Sequence, residues 1–532
     1  MASIKITQTL ATPLLIVGSG IGGLSASVEA HKKGIDHILI TKTKLGSGAS
    51  FFPLKATLGI QVTGGEDDKI LFQQEIERVA QGMNNPEIVK AYVEDSPQAV
   101  SLLDEIGFKA WKRNDNRPAC FAQYTRPIYL INQWQKAAKN AREIIKNQST
   151  TTLFENATLI YIATEQNRIV GAVFAHKVEQ QTDYIFVQTP YIILASGGIA
   201  GLYKDNLYPA DVLGGSHYLA LQAGAKLTNL EFIQFIPSFI EPKYKVLFGE
   251  HTLKYCSAVT DKAGNSLFPE LSQAEFQQMV AERSAYAPFS VDFPCVKFDL
   301  RIMQYLIEHP EEQGVYLQYS PALYQDKTEF YRVYLDWLKA EAGIDLLQDR
   351  IAIAPFAHSC NGGIEIDTDA QSGVQGLFAV GEVSSCIEGA NRLGGNSVGG
   401  SLVFAKRAIA KIQQNLTACY SEKDKQAVEN TIKNAEQALN SLQNPNADQH
   451  LMPSEVLSEI RRGMSKYANV YRTKENLCKL SEELNRLENR FNPITHADFQ
   501  GIEIYHALKT AQLVVKSMLD RKESRGAHYR AD

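Results

Sequence analysis

The stretch Leu14-Leu-Ile-Val-Gly-Ser-Gly-Ile-Gly-Gly23 decides the fold of this chain. Its first four residues are apolar, which is typical of a buried parallel strand. Glycines follow at once in G-x-G-x-x-G spacing, and the pattern from 21 to 33 predicts a helix that ends at Gly34. His37–Thr41 predicts the next strand. A strand, a glycine turn and a helix in this order predict a βαβ unit that places a dinucleotide pyrophosphate at the helix N-terminus.

The second strand ends without the acidic residue that usually contacts the ribose of NAD. Thr41-Lys42 stands at that position. Because an Asp or Glu there normally accepts hydrogen bonds from the ribose, its replacement disfavours NAD as the bound nucleotide. The remaining candidate is FAD, whose ribose would be held through a different contact.

The composition is that of an ordinary globular protein, with 44% apolar and 21% charged residues. The 532 residues suffice for about two to four domains. The net charge is −5, and no basic tract carries interleaved aromatic residues. We therefore expect no nucleic-acid partner.

The seven cysteines are scattered, and none forms a Cys-x-x-Cys pair. This spacing disfavours a structural zinc or iron–sulfur site, so we predict no metal site. An odd, scattered set is typical of reduced cytosolic thiols rather than of a disulfide framework. A reactive Cys360 or Cys386 near a cofactor is the alternative interpretation.

No run reaches the roughly 18–20 apolar residues that a membrane-spanning helix needs. The apolar run at Pro13–Val17 continues into the glycine turn rather than into a small-residue cleavage site, which disfavours a signal peptide. We therefore expect a cytoplasmic protein without a membrane span.

The alternation of strands and glycine turns returns later in the chain. Strands are predicted at 168–178 and 184–188, and Tyr191–Leu194 leads into a glycine turn at Ala195-Ser-Gly-Gly198. The pattern resumes at 376–382, whereas 236–350 carries helical patterns instead. We predict a nucleotide-binding domain in two parts, 1–235 and 351–415, an inserted domain over 236–350, and a C-terminal helical domain over 416–532 with a break at Asn444–Asn446.

The loop Gly389-Ala-Asn-Arg-Leu-Gly-Gly-Asn-Ser397 surrounds one arginine with glycines and small residues. Glycines let the backbone approach a flat ligand closely and offer it N–H groups. An arginine fixed in such a loop can bind a carboxylate through two parallel hydrogen bonds. The loop therefore predicts a site where a flat ligand meets a carboxylate, and a glycine-rich surface loop is the alternative.

Five segments carry a resemblance that spans nearly the whole chain. They are Gly18-Ser-Gly-Ile-Gly-Gly23, Ala195-Ser-Gly-Gly198, Gly381-Glu382, Gly389–Ser397 and the C-terminal Arg521-Lys-Glu-Ser-Arg-Gly-Ala-His-Tyr-Arg530. In this order they resemble the L-aspartate oxidase, succinate dehydrogenase and fumarate reductase flavoprotein family. The resemblance implies an α/β fold, with a discontinuous Rossmann-like FAD-binding domain, an inserted α+β capping domain and a C-terminal helical domain.

The resemblance also implies which residues would hold FAD. They are Gly18, Ser19, Gly20, Ile21, Gly22, Gly23, Thr41, Lys42, Ser47, Gly48, Ala49, Ser50, Ala195, Ser196, Gly197, Gly198, Gly381, Glu382, Asn396, Ser397 and Val398. Family members that bind FAD covalently use a histidine a few residues after the second strand. The segment 47–59 has no histidine, so we expect noncovalent FAD.

Two residues match the active-site pattern of the family. Arg392 matches the arginine that binds a substrate carboxylate, and a structural arginine bonded to loop carbonyls is the alternative. His358, in Ala357-His-Ser-Cys-Asn-Gly-Gly-Ile364, matches the histidine that donates to a carboxylate or carbonyl oxygen of the substrate. A structural histidine is the alternative there.

Other positions depart from the family pattern. In Glu231–Ser238, Ile236 stands in the place of a substrate-binding histidine and Ser238 in that of a threonine. In the segment Gly249–Cys256, only Glu250 of the family's acidic and basic residues is kept. These changes make a dicarboxylate substrate doubtful and favour an apolar or monocarboxylate substrate.

The proton-shuttling arginine of the capping domain has no clear counterpart. Val296-Lys-Phe-Asp-Leu300 looks like the family strand that follows it, yet Ser272–Met279 upstream contains no arginine. Arg283 is the nearest candidate, and Lys55, in the loop that replaces the flavin-edge turn, is another. A desolvated lysine near a flavin can act as acid or base. A solvated surface side chain is the alternative for each.

The sequence thus predicts an FAD-dependent oxidoreductase that exchanges hydride between flavin N5 and a carboxylate-bearing small molecule, such as an amino acid or an enoate-like compound. An L-aspartate oxidase or fumarate reductase proper is one alternative. An electron-transferring flavoprotein subunit that docks a redox partner protein is the other.

Overall fold

The fold is described from a computed structural model for residues 3–286, 288–416, 425–447, 451–494 and 499–532. Cys419 lies outside these residues. The strands are β1 (Gln8–Ala11), β2 (Leu14–Val17), β3 (His37–Ile40), β4 (Leu58–Gln61), β5 (Ala110–Lys112), β6 (Ile128–Ile131), β7 (Thr151–Phe154), β8 (Ala157–Glu165), β9 (Arg168–Val178), β10 (Gln181–Gln188), β11 (Tyr191–Leu194), β12 (Leu227–Thr228), β13 (Ile233–Glu241), β14 (Cys256–Thr260), β15 (Val315–Tyr319), β16 (Ile351–Cys360), β17 (Gly363–Glu365), β18 (Leu377–Ala379) and β19 (Ser384–Ser385). The α-helices are α1 (Ile21–Lys32), α2 (Asp68–Ala80), α3 (Pro86–Asp95), α4 (Ala99–Glu105), α5 (Trp134–Lys146), α6 (Gly215–Gln222), α7 (Gln273–Arg283), α8 (Val296–Glu308), α9 (Glu329–Trp337), α10 (Asn396–Leu416), α11 (Lys425–Asn440), α12 (Pro453–Tyr467), α13 (Lys474–Arg490) and α14 (Gln500–Asp520).

A parallel sheet of five strands, in the order β18-β11-β2-β3-β7, forms the centre of the nucleotide-binding fold. Its apolar strands are buried on both faces, as the continuous apolar runs predicted. Strand β18 comes from a part of the chain that follows the inserted segment, yet it pairs with β11. The discontinuous Rossmann-like domain predicted from the sequence is therefore confirmed.

Helix α1 approaches the parallel sheet so closely that only glycine fits at two positions. A Cβ atom on Gly23 would lie 1.9 Å from the carbonyl oxygen of Gly18. Gly18 has a φ of +105°, and a Cβ there would lie 2.4 Å from the carbonyl oxygen of Ala195. These contacts fix the N-terminus of α1 at the carboxyl ends of β2 and β11.

An antiparallel sheet in the order β13-β16-β15-β14 organises the inserted segment. A separate apolar core, which includes Phe239, Phe248 and Phe298, packs against it. The predicted boundary between residues 235 and 236 falls inside β13, and β16 belongs to this sheet although it follows the predicted boundary at 350. The exact division into domains stays a prediction.

The strand expected at Val296–Leu300 is wrong, because α8 begins at Val296. Phe298, Ile302 and Tyr305 are all buried. Their i, i+4, i+7 spacing places them on one face of a helix, whereas a strand would have needed an alternating pattern.

The C-terminal part is helical, as predicted. Helices α12, α13 and α14 pack on one another around a core that also takes in Tyr203 and Phe235. The predicted break at Asn444–Asn446 lies between α11 and α12.

In the described part of the chain, the helices fall short of the length and apolarity that crossing a membrane requires.

The close approach of α1 predicts a specific cost for Gly23→Ala. The new methyl group would overlap the Gly18 carbonyl, and overpacking of this kind costs about 1–3 kcal/mol. We expect a lower midpoint of thermal unfolding, measured on protein freed of cofactor. Gly65→Ala is the matched control, because nothing lies within 4 Å of the Cβ that it adds. Equal midpoints for the two variants would contradict this interpretation of the contact.

Candidate active site

A cavity of about 430 Å³ opens at one edge of the parallel sheet. Val17, Ile40, Ala195 and Val380 line it, and each lies at or just beyond the carboxyl end of β2, β3, β11 or β18. In open parallel sheets, ligands bind outside this edge. The position of the cavity is therefore that of a nucleotide site.

The N-terminus of α1 forms one wall of this cavity. Gly20 precedes the helix in an extended conformation and provides no side-chain cap. The backbone N–H of Ile21 donates to Ser50 Oγ at 3.1 Å. Behind the turn, Ser19 and Thr41 share a hydrogen bond of 2.8 Å between their hydroxyls. N–H groups at a helix start and the helix dipole favour phosphate groups, so this wall suits a pyrophosphate.

Most residues predicted to hold FAD line the cavity. They are Gly18, Ser19, Gly20, Ile21, Gly22, Thr41, Lys42, Ser47, Gly48, Ala49, Ser50, Ala195, Ser196, Gly197, Gly381, Glu382, Ser397 and Val398. Gly23, Gly198 and Asn396 do not line it. Gly198 has a different use, because a Cβ there would lie 2.4 Å from Glu382 Oε1. Its lack of a side chain makes room for Glu382 at the cavity.

Three polar atoms of the cavity wall indicate that it holds a ligand. Thr158 Oγ1, Ser196 Oγ and His358 Nδ1 are buried, and none has a hydrogen-bond partner within the described ranges. Buried polar atoms are nearly always hydrogen-bonded in folded proteins. Together with the helix start, these atoms fit a long, polar cofactor such as a flavin dinucleotide.

Sequence reasoning missed the contribution of the C-terminal helix to this cavity. Glu503 and His506 of α14 line it together with the N-terminal glycine turn. Lys42 pairs with Glu503 and also donates to the carbonyl of Asp211 at 2.5 Å. Lys42 therefore joins the end of β3 to α14 as well as lining the cavity. Helical periodicity in 500–520 could not have shown which sheet edge the helix covers.

Two side chains hold the guanidinium of Arg392 in the cavity wall. Its Nε donates to Gln234 Oε1 at 3.0 Å, and its Nη1 donates to Ser397 Oγ at 2.6 Å. Within the described residues, its Nη2 makes no hydrogen bond, and the residue lines the cavity half-buried. A fixed guanidinium with free donors is suited to bind a carboxylate.

His358 and Lys55 line the same cavity as Arg392. Burial lowers the pKa of His358 well below its usual range, and the positive charges of Lys55 and Arg392 lower it further. The imidazole is therefore neutral and can donate one hydrogen bond. Burial also lowers the pKa of Lys55, whose exposure is 5%.

Glu382 brings a carboxylate to this group of cations. It accepts hydrogen bonds from the hydroxyl of Tyr208 and, at 2.8 Å, from the backbone N–H of Cys360. Burial raises the pKa of Glu382, while the Cys360 N–H and the charge of Lys55 act to lower it. The two hydrogen bonds fix the carboxyl group of Glu382, and burial favours its protonated, neutral form.

Arg283 and Glu250, two candidates for catalysis, lie together but away from the cavity lining. Arg283 pairs with Glu250 and, through Nε at 2.7 Å, with Asp299. All three side chains are buried. This network occupies the guanidinium, so the structure places Arg283 in an ion-pair cluster of the inserted segment rather than beside Arg392.

Ser238 also lies outside the cavity lining, whereas Ile236 lies within it. Ile236 and Ser238 lie on the same face of β13, because residues two apart on a strand share a face. Ser238 is further along the strand, however, and is fully buried. Ile236 belongs to a small apolar cluster with Leu207, Ala354 and Phe356. This part of the wall is apolar at the position where the sequence resemblance implied a histidine.

The cysteines near the cavity divide into two kinds. Burial raises the pKa of Cys360 to about 12 and that of Cys386 well above its usual range, which opposes the idea of reactive thiolates. Cys120, which the sequence did not single out, is exposed and lines the cavity beside Gly394. Over the described parts of the chain, no three His, Cys, Asp or Glu side chains are grouped so that they could hold a metal ion.

Two family models match this chain. The model described as FAD binding domain matches residues 14–398, and the model described as fumarate reductase flavoprotein C-term matches residues 457–532. The first covers the parallel sheet, the inserted segment and Arg392. The second covers α12 to α14 almost entirely and the C-terminal signature.

Relatives align over almost the full chain. The L-aspartate oxidase of Streptomyces coelicolor is 27% identical, with 98% of this chain and 89% of that protein covered. The fumarate reductase flavoprotein subunit of Escherichia coli is 24% identical, with 99% of this chain and 89% of that protein covered. The structure of Mycobacterium smegmatis Sdh1 in complex with UQ1 shares the fold, with a TM-score of 0.80 at 21% identity, covering 99% of this chain and 89% of that one. The chain therefore belongs to the family of FAD-dependent oxidoreductases that contains the L-aspartate oxidases and the fumarate reductase flavoproteins.

Proposed function

We propose that this flavoprotein exchanges a hydride with a carbon beside the carboxylate of a small molecule, and that its substrate differs from the usual dicarboxylates of the family. The observation that carries the proposal is the hydrogen bonding of the Arg392 guanidinium. Gln234 and Ser397 hold two of its guanidinium nitrogens, and the third lacks a partner among the described residues at the cavity. A carboxylate is the group that completes such a site.

FAD, when bound, supplies the hydride acceptor or donor at its N5 atom. The glycine turn at 18–23 and the α1 N-terminus suit its pyrophosphate, and Thr158 and Ser196 offer hydroxyls that have no partner among the described residues. Arg392 would orient the substrate through its carboxylate. The neutral His358 would donate a hydrogen bond to a second oxygen of the substrate.

The apolar wall supports a substrate with an apolar group. Ile236 and Leu247 line the cavity together with Arg392 and His358. A second carboxylate placed against Ile236 would lose its hydration without gaining a hydrogen bond there, which is costly. An amino acid or enoate with one carboxylate and an apolar substituent fits this wall better.

A second candidate is an L-aspartate oxidase or fumarate reductase proper, the activities that two relatives' names carry. Lys55 favours it, because this lysine is a second buried cation at the same cavity. Its ammonium could bind a second carboxylate in place of the histidine that Ile236 replaces. A redox partner protein, which the fumarate reductase relatives suggest, stays a prediction for this chain.

A panel of compounds should separate the two candidates. Under anaerobic conditions we expect apolar 2-amino monocarboxylates to bleach the visible band of the oxidised flavin, or the matching 2-enoates to reoxidise the reduced flavin. L-Aspartate, succinate and fumarate should act at least tenfold more slowly. Faster bleaching by L-aspartate or succinate, or faster reoxidation by fumarate, would establish the second candidate instead.

The flavin should be bound without a covalent bond. The loop after β3 offers no histidine between residues 47 and 59. We therefore expect acid denaturation to release all of the flavin into the supernatant and to leave a polypeptide of unmodified mass. Flavin that stays with the precipitated chain, detected by fluorescence and intact mass, would contradict this expectation.

Arg392→Met should lower kcat/KM by about 100-fold or more while FAD stays bound. The loss of a paired charge-assisted contact of about 3 kcal/mol corresponds to that factor. Arg407→Met is the matched control, because Arg407, on α10, pairs with Asp95 and does not line the cavity. Unchanged kcat/KM in Arg392→Met, or an equal loss in the control, would remove the assigned role.

A further inference from the structure

We propose that Lys55 donates and accepts the substrate proton in this chain, in place of the capping-domain arginine that has no clear counterpart in the sequence. The inference rests on the proposed function, because it concerns the same cavity and the same substrate. It adds the group that completes the chemistry, since hydride exchange at one carbon requires a proton at the neighbouring atom.

The backbone around Lys55 is fixed from two sides. The indole N–H of Trp134 donates to the carbonyl of Lys55 at 3.0 Å. The backbone N–H of Leu247 donates to the carbonyl of Leu54 at 3.0 Å. Because Leu247 also lines the cavity, the loop that carries Lys55 and the inserted segment meet at the cavity wall. A lysine held this way is presented to the cavity rather than to bulk solvent.

The ammonium group of Lys55 has no protein partner within the described ranges. The residue is 5% exposed, yet no hydrogen bond or ion pair of its Nζ occurs there. A buried charge without a partner is costly. Since Lys55 lines the cavity, a ligand in the cavity is the partner that this arrangement provides for.

Arg283, Arg392 and His358 are less suited than Lys55 to move a proton. Arg283 is occupied by Glu250 and Asp299 and lies away from the cavity lining. Arg392 is an anchor, because Gln234 and Ser397 hold its guanidinium for a carboxylate. His358 is already neutral, because burial and two nearby cations lower its pKa. Lys55 thus combines an unengaged titratable group with a position at the cavity.

The surroundings of Lys55 allow both of its protonation states near neutral pH. Burial lowers the pKa of Lys55 to about 8, against the raising effect of Glu382, and the charges of Arg392 and Lys245 lower it further. His358 also faces this group, but it carries no charge to oppose the ammonium. An acid or base with a pKa close to the working pH is the most effective in proton transfer.

The step is balanced in both directions. In reduction, one atom of the substrate double bond would receive a hydride, that is, a hydrogen with two electrons, which FAD would supply when bound. An N–H bond of the Lys55 ammonium then breaks as a bond to hydrogen forms at the neighbouring atom, and the amine is left neutral. In oxidation, the neutral amine takes the proton as the hydride leaves.

The first experiment measures the ionisation of Lys55 without turnover. The FAD-bound protein is acylated with a small neutral anhydride at a series of pH values, and labelling at Lys55 is quantified by mass spectrometry against exposed Lys136. We expect labelling of Lys55 to rise with a midpoint near pH 8. Lys245→Met should move that midpoint to higher pH, because it removes a neighbouring positive charge.

Lys243→Met is the matched control for this shift. Lys243 is exposed, lies two residues from Lys245, and is not among the charges that act on Lys55. The midpoint should stay where it is in the control. A midpoint of Lys55 at the usual lysine value of about 10.4 would overturn the inference, whatever the substrate proves to be.

The second experiment separates proton transfer from anion binding. Lys55→Met should lower kcat by about 100- to 10,000-fold. In Lys55→Met, affinity for acetate, measured by perturbation of the flavin spectrum, should change little. Added primary amines should restore part of the activity of Lys55→Ala. In the native protein, kcat/KM for oxidation should rise with pH through about 8, and kcat/KM for reduction should fall.

The outcomes distinguish the two proposals. A native protein whose flavin reacts with no carboxylate compound contradicts the proposed function and this inference with it. A native protein that turns over, with kcat unchanged in Lys55→Met, overturns the role of Lys55 alone. Loss of activity without rescue by amines, together with weaker acetate binding in Lys55→Met, would make Lys55 an anion-binding residue and would also overturn it.

Discussion

The absence of a side chain at residue 23 is the constraint on which the rest of the site depends. A single methyl group there would overlap the carbonyl of Gly18. With glycine, helix α1 lies directly against the parallel sheet and starts at its carboxyl edge. The approach of Gly18 to Ala195 adds a second contact of the same kind. Because the backbone can make these two close contacts, the N-terminus of α1 lies at the cavity, next to the carboxyl ends of the strands.

Local patterns were sufficient to predict four of the five strands of the parallel sheet, whereas β7 was not predicted. Leu14–Val17 and Tyr191–Leu194 are short apolar runs that end in glycine turns, and such runs carry their structure in their own residues. The strand predicted at Val296–Leu300 was wrong, because a likeness to a family strand was given more weight than the helical spacing of the apolar residues. The periodicity of the buried side chains was the better guide.

Long-range partners could not be predicted from the same patterns. Arg392 and Arg283 were both candidates from sequence, yet only Arg392 reaches the cavity with a donor that has no partner among the described residues. Asp299, one of the carboxylates that engage Arg283, lies on α8, sixteen residues further along the chain. Whether a buried cation is compensated by the protein or left for a ligand depends on such tertiary contacts. Lys42 is likewise compensated by the protein, because it pairs with Glu503, whereas Lys55 is left for a ligand.

The contribution of α14 to the cavity sets an order of events during synthesis. Glu503 and His506 face the same space as the glycine turn at 18–23, although almost five hundred residues separate them. While the ribosome is still translating the helical region, the N-terminal sheet can form, but its cavity lacks one wall. The wall that α14 contributes is therefore the last part of this cavity to be synthesised, and the cavity is complete only after nearly the whole polypeptide has emerged.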